Sequence, residues 1–125
     1  MRQIIETKNA PAPIGPYSQA VRANGFLFVS GQIAVNPDTE QIVAGGIEAQ
    51  ARQVFENLSA ILGAAGSGLD KVVKTTVFLT NLDDFPKLNR IYEEYFGKSK
   101  PTRSTVQVVR LPKEVLLEID AIAEA

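Results

Sequence analysis

Histidine and cysteine are both absent from this 125-residue chain. Their absence excludes thiol and imidazole chemistry, Cys/His metal sites and disulfide staples. Any reaction must therefore run on arginine, carboxylates, hydroxyls, lysine or backbone groups. Charge of one sign is missing too: 13 Lys and Arg face 14 Asp and Glu, a net charge of -1, with no long run of either sign. A nucleic-acid binder would carry a basic footprint, and none is present. No stretch approaches the ~20 apolar residues of a membrane span, and the first ten residues carry Arg2, Glu6 and Lys8 where a leader would be apolar. The expectation is a soluble, cytoplasmic protein without membrane or nucleic-acid partners. A single domain over residues 1–125 is expected, large enough to bury about two-thirds of its unfolded-chain surface.

What is present is a series of short strands and two helices. Ile4-Ile5 lies in a first strand, and Ala10-Pro11-Ala12-Pro13-Ile14-Gly15-Pro16 reads as an ordered loop. Residues 17–23 and 26–35 form two antiparallel strands around Asn24-Gly25, a two-residue hairpin signal. After Gly45-Gly46, the residues Ala51, Val54, Phe55, Leu58, Ile61, Leu62 and Ala65 recur at the three-and-four spacing of one helical face. Residues 70–80 carry β-branched side chains on both faces, as a buried central strand does. A second helix starts near Asp83, tolerates Pro86 in its first turn, and aligns Phe85, Leu88, Ile91, Tyr92, Tyr95 and Phe96. Strands over 103–109 and 115–123 close the chain. The order βββαβαββ implies an α+β fold, a mixed six-stranded sheet with two helices on one face. Leu116 and Ile122, beside Glu118 and Asp120, make the opposite face too apolar to stay wet, and self-association is the expected remedy.

Two strands carry a charge where an apolar residue is expected. One is Pro101-Thr102-Arg103-Ser104-Thr105-Val106; the other is Leu117-Glu118-Ile119-Asp120-Ala121-Ile122-Ala123. A guanidinium offers a planar donor fork that matches a carboxylate bidentately, so Arg103 with Glu118 suits a small carboxylated substrate. The alternative is a solvent-exposed or interface ion pair. Alternation places Arg103, Thr105 and Gln107 on one face of their strand, and Glu118 with Asp120 on one face of theirs. A hairpin centred between Arg110 and Leu111 sets Arg103 opposite Glu118, whereas an intervening strand separates them; both arrangements are open. Tyr17 either presents its hydroxyl to a pocket or packs half-buried. Ser30-Gly31, inside an apolar strand, marks a bulge, a close backbone approach or tight strand packing. Asn89 by itself is a surface residue. Gly63-Ala64-Ala65-Gly66-Ser67-Gly68 ends a helix, so it is a stop signal and not a phosphate cradle. Lys98, Lys100 and Lys113 are scattered surface charges.

Several blocks resemble the RidA (YjgF) family. They are Asn9-Ala10-Pro11-Ala12-Pro13-Ile14-Gly15-Pro16-Tyr17-Ser18-Gln19-Ala20, Val29-Ser30-Gly31-Gln32-Ile33, Lys74-Thr75-Thr76-Val77-Phe78-Leu79 and Pro101-Thr102-Arg103-Ser104. Val108-Val109-Arg110-Leu111-Pro112-Lys113 and Glu118-Ile119-Asp120-Ala121-Ile122-Ala123 complete the set. The resemblance implies a chorismate-mutase-like α+β fold and a homotrimer around a central barrel, with ligand clefts at the subunit interfaces. It also implies a metabolite-damage guard that hydrolyses 2-imino acids (2-aminoacrylate/2-iminopropanoate, 2-iminobutanoate) to 2-keto acids and ammonia. In that scheme Arg103 holds the substrate carboxylate and Glu118 positions or activates water. Tyr17, Ser30, Gly31 and Asn89 line the cleft, and Phe85 forms a wall. Thr105 stands where many members carry Cys, so a thiol role is lost while a hydrogen-bonding hydroxyl remains. No metal or cofactor is called for, because an iminium carbon is already electrophilic. A non-catalytic regulatory trimer that senses 2-keto or 2-imino acids is the runner-up. RNA cleavage or translation inhibition, attached to some relatives, fits least with a chain of net charge -1 that lacks histidine.

Overall fold

The computed structural model describes residues 2–125. Six strands and two helices follow one another in the expected order: β1 (Gln3–Ile5), β2 (Ala20–Ala23), β3 (Phe26–Gln32), α1 (Gly46–Ala64), β4 (Val72–Leu79), α2 (Phe85–Phe96), β5 (Thr102–Gln107) and β6 (Leu117–Glu124). They form one mixed sheet in the order β1-β2-β3-β6-β4-β5. The β2–β3 turn is the one its sequence predicts. Asn24 and Gly25 both adopt positive φ, 51° and 81°, which a tight hairpin between right-twisted strands demands. No helix among the described residues is long and apolar enough to cross a membrane.

The decisive pairing is non-local. β5 runs parallel to β4, reached through α2, while β6 returns antiparallel on the other side of β4. Parallel neighbours need a crossover of this kind, and α2 supplies it. The hairpin that would set Arg103 opposite Glu118 therefore does not form. Thr75 pairs with Arg103 on one side and with Ala121 on the other, and Phe78 pairs with Glu118.

Both helices lie on the same face of the sheet. Val54, Phe55, Leu58, Ile61 and Leu62 of α1, with Leu88 and Phe96 of α2, pack on Leu27, Val77, Leu79, Leu117 and Ile119 in one core cluster. The ring of Phe55 meets Tyr92, Tyr95 and Phe96 at centroid distances of 5.9, 4.7 and 5.7 Å, which ties α1 to α2. Asn57 is buried and donates from Nδ2 to the carbonyls of Ile33 and Val35, at 3.2 and 3.0 Å. It thereby satisfies two carbonyls of the segment that follows β3.

Among the described residues the other face carries no helix. Ile4, Val21, Phe28, Ile122, Lys74 and Thr102 lie in register across all six strands on that side. Ile4 and Phe28 remain about half exposed, at 54% and 46%. Leu116, expected on this face, precedes β6 and packs partly against the core. Its N–H donates to the buried Gln50 Oε1 at 2.8 Å, which holds the chain end of β6 against α1.

Candidate active site

Arg103 sits on the helix side of β5, the strand at the sheet edge, beside the buried Thr75 of β4. Helix α2 presents Phe85, Asn89 and Tyr92 to it, at the i, i+4, i+7 spacing that stacks side chains along one stripe. Arg103 Nη1 donates to Asn89 Oδ1 at 2.8 Å, and Cζ lies 4.6 Å from the Tyr92 ring centroid and 5.1 Å from that of Phe85. No carboxylate pairs with Arg103 among the described residues. A neutral amide and two rings hold the guanidinium in place without neutralising it. Thr105 follows on the same face, paired with the core residue Val77. An open cavity of about 500 Å³ adjoins the arginine, lined by Asn89, Tyr92, Phe96, Lys100 and Pro101 among others.

Glu118 lies on the helix-free face, since its neighbours Leu117 and Ile119 both point into the core. From Arg103 it is two strands across and three positions along, about 14 Å by ordinary strand spacings, and on the opposite side of the sheet. Its nearest special feature is the interruption in the β3–β6 register between Val29 and Gln32, the position of Ser30-Gly31. A Cβ at Gly31 would stand 2.2 Å from Glu118 Oε2 and 2.8 Å from Cδ, so the missing side chain is what makes room for this carboxylate. Of the bulge, the close approach and the tight strand packing left open for Ser30-Gly31, the structure shows the interrupted register and an approach to Glu118. Partial burial raises the Glu118 carboxyl above the usual glutamate range, and the negative charge of Asp120 adds to the shift.

Tyr17 belongs to this second group. It is 53% exposed and precedes β2, which begins at Ala20 and not at residue 17 as expected. Its hydroxyl accepts the Ile14 N–H at 3.3 Å. Tyr17 and Ser30 border one depression with Phe28 and Val21. The Ser30 hydroxyl donates to the Ser18 carbonyl at 2.6 Å, and its N–H donates to the Gln19 carbonyl at 2.9 Å.

The buried side chain of Gln19 ties the preceding loop to the same spot. Its Oε1 accepts the Thr7 N–H at 2.7 Å, and its Nε2 donates to the carbonyls of Thr7, Ala10 and Pro11 at 3.0, 3.3 and 2.9 Å. Gln19→Leu is expected to cost about 2–4 kcal/mol, because each buried polar group left without a partner costs roughly 1–3 kcal/mol. A urea titration reads this as a lower midpoint at unchanged slope, and an unchanged midpoint refutes the pinning role.

The sequence-predicted residues thus fall into two groups. Arg103, Asn89 and Phe85 meet on the helix side, with Thr105 two positions along the same strand face; on the bare side Gly31 faces Glu118, and Tyr17 and Ser30 border a depression beside the bulge. The sequence marks Tyr92 only as a core position, although its spacing from Phe85 and Asn89 places it on the stripe that touches Arg103. Within one copy the two groups do not converge.

The family model described as Endoribonuclease L-PSP matches residues 7–125. A RutC family protein of Pyrococcus horikoshii is 58% identical over 123 residues, which cover 98% of each chain. A human protein named 2-iminobutanoate/2-iminopropanoate deaminase is 45% identical over 123 residues, covering 98% of this chain and 90% of its own. Among solved structures, YyfA of Yersinia pestis, described as a member of the conserved Rid protein family, superimposes with a TM-score of 0.97 at 52% identity, covering all of both chains. TdcF of E. coli, solved with bound serine, superimposes with a TM-score of 0.93 at 48% identity over 98% of each chain.

Proposed function

This chain belongs to the RidA (YjgF, RutC) family, and on that premise we propose that it hydrolyses 2-imino acids to 2-keto acids and ammonia in clefts shared by neighbouring copies of a homotrimer. The observation that carries the reading is Arg103, a partly buried cation with no ion-pair partner among the described residues, held by Asn89 and two rings beside an open cavity. Such a group is ready for a carboxylate. The human relative's name supports the imino-acid class, and serine on the E. coli relative supports a small ligand bearing a carboxylate and an amine.

In this reading Arg103 grips the substrate carboxylate, with Asn89, Phe85 and Thr105 shaping its end of the cleft. Glu118, from the adjoining copy, takes a proton from water as the water oxygen bonds to the iminium carbon. The resulting carbinolamine nitrogen is then protonated by the Glu118 carboxyl, and as the C–N bond breaks and ammonia leaves, the regenerated Glu118 carboxylate takes the hydroxyl proton and the ketone forms. Tyr17, Ser30 and Gly31 frame the water side. A carboxyl poised above the usual glutamate range suits a group that must first accept and then return a proton.

The direct test generates 2-aminoacrylate with a separate dehydratase and follows ammonia release with and without this protein. No acceleration, with binding of a nonreactive 2-keto acid intact, favours a regulatory binding trimer instead. Sharing of the cleft is tested by mixing. Arg103→Lys and Glu118→Gln are each expected to be nearly inactive as pure trimers. After the two are unfolded and refolded together, about a quarter of head-to-tail interfaces combine an intact Arg103 with an intact Glu118, and activity returns in proportion. Failure of the mixed trimers to regain activity refutes the shared cleft.

The pH dependence has a definite sign. Since the Glu118 pKa is raised and the base form is required, the acid limb of kcat/KM is expected above the ordinary glutamate value. Asp120→Asn removes the smaller of the two causes and moves that limb part of the way down. Folding responds oppositely: a carboxyl with a raised folded pKa favours the fold at low pH, and this contribution is lost as pH rises through the folded pKa. Glu118→Gln is therefore expected to raise the thermal midpoint relative to wild type near pH 7 and to lose that advantage near pH 4.

A further inference from the structure

Arginine side chains are long and rotamer-rich, and a single hydrogen bond does not fix the plane of a guanidinium. The ring nearest to Arg103 is that of Tyr92, 4.6 Å from Cζ, and this ring is itself tied down. Tyr92 is buried, and its hydroxyl shares a 2.8 Å hydrogen bond with Oγ1 of Thr75, a residue with no exposed surface. Thr75 is in turn the cross-strand partner of Arg103 in the parallel β4–β5 ladder. The connections close a circuit from the Arg103 backbone through Thr75 and the Tyr92 hydroxyl to the Tyr92 ring, and back to the guanidinium. Asn89 occupies Nη1, and among the described residues Nε and Nη2 have no side-chain acceptor.

We propose that Tyr92, locked by Thr75, is the positioning residue that orients the Arg103 guanidinium so that its Nε/Nη2 edge faces the incoming carboxylate. The proposal rests on the reading of Arg103 as a carboxylate clamp. A stacked, pre-ordered arginine loses less freedom when the ligand binds, so its effect belongs to affinity and not to the chemical step. Loss of the ring is expected to weaken binding by about tenfold, the scale of a partly desolvated cation–π contact plus ordering.

The test compares Tyr92→Leu, Tyr92→Phe and Thr75→Val as intact assembled protein. Tyr92→Leu is expected to raise KM for the imino acid, and Kd for pyruvate as a nonreactive probe, by about tenfold while kcat changes less than about threefold. Tyr92→Phe keeps the ring but loses the hydroxyl lock, so it and Thr75→Val should each weaken binding by about threefold, less than Tyr92→Leu. A packing defect alone does not move the Arg103 Nε–H resonance, which ring current shifts and which is assigned by its disappearance in Arg103→Lys. It should move in Tyr92→Leu and stay near its place in Tyr92→Phe. If Tyr92→Leu does not fold, the cycle of Tyr92→Phe, Thr75→Val and their double variant decides: equal losses singly and together support the circuit, and additive losses overturn it. Normal pyruvate affinity in folded Tyr92→Leu, with poor affinity in Arg103→Lys, overturns this proposal alone. Normal affinity in Arg103→Lys overturns the clamp and the proposal together.

Discussion

Arg103→Lys is expected to lose roughly thirtyfold or more of kcat/KM for the imino acid while folding and assembling as the wild type does. Lysine retains the charge but offers a single ammonium, with no planar fork to accept a carboxylate on two parallel bonds or to lie flat on the Tyr92 and Phe85 rings. Truncating one partner of a buried, hydrogen-bonded charge pair costs about 2–5 kcal/mol, and about 1.4 kcal/mol is a decade, so even the lower end predicts the stated loss. Stability should hardly change, because among the described residues Arg103 makes no ion pair and its removal strands no carboxylate. Steady-state kinetics beside a thermal melt separates the two effects. Near-wild-type turnover in a well-folded Arg103→Lys removes the carboxylate clamp, whatever the family membership.

Gly31→Ala is expected to lower kcat by about a hundredfold through Glu118 alone, since a misplacement of roughly 1 Å at a reacting group costs about that much. The added Cβ would lie 2.2 Å from Oε2 and 3.1 Å from Cγ of Glu118, well inside contact distance. What must give is the free end of a side chain and not backbone, so the fold survives and the carboxylate moves. Gly31 does not adopt the positive φ that alanine resists, which leaves steric displacement as the cause. Pyruvate affinity should stay within about threefold, because the arginine end is untouched. The informative control is the double variant with Glu118→Gln, in which Gly31→Ala should add little, as residues acting as a unit do not add. Full activity in Gly31→Ala would show that the carboxylate position is not critical.

Asp120 and Tyr92 show why a site can be read only in part from a linear chain. Asp120 was visible as a same-face neighbour of Glu118, because period-two alternation within one strand is local. Its influence on the Glu118 carboxyl required knowing that this stretch of the sheet is half-buried. Tyr92 was legible as one of an apolar helical series, and its ring does pack in the core. The same spacing also aligned it with Asn89 and Phe85, but nothing in the sequence said which strand would pass beneath that stripe.

Local order was therefore determined by the sequence itself. The Asn24-Gly25 hairpin, the apolar faces of both helices and the strand order along the chain all follow from backbone preference and spacing over a few residues. Alternation even assigned Arg103 and Glu118 correctly to faces of their own strands. Only the tertiary structure decided how those faces relate. With β4 inserted between β5 and β6, Arg103 shares the side of Thr75 and Glu118 shares the side of Phe78, its successor by three along an alternating strand. An odd separation in β4 puts the two charges on opposite faces, so within one chain they do not share a site. That parity is set by pairing between segments far apart in sequence, which residue-by-residue pattern does not encode.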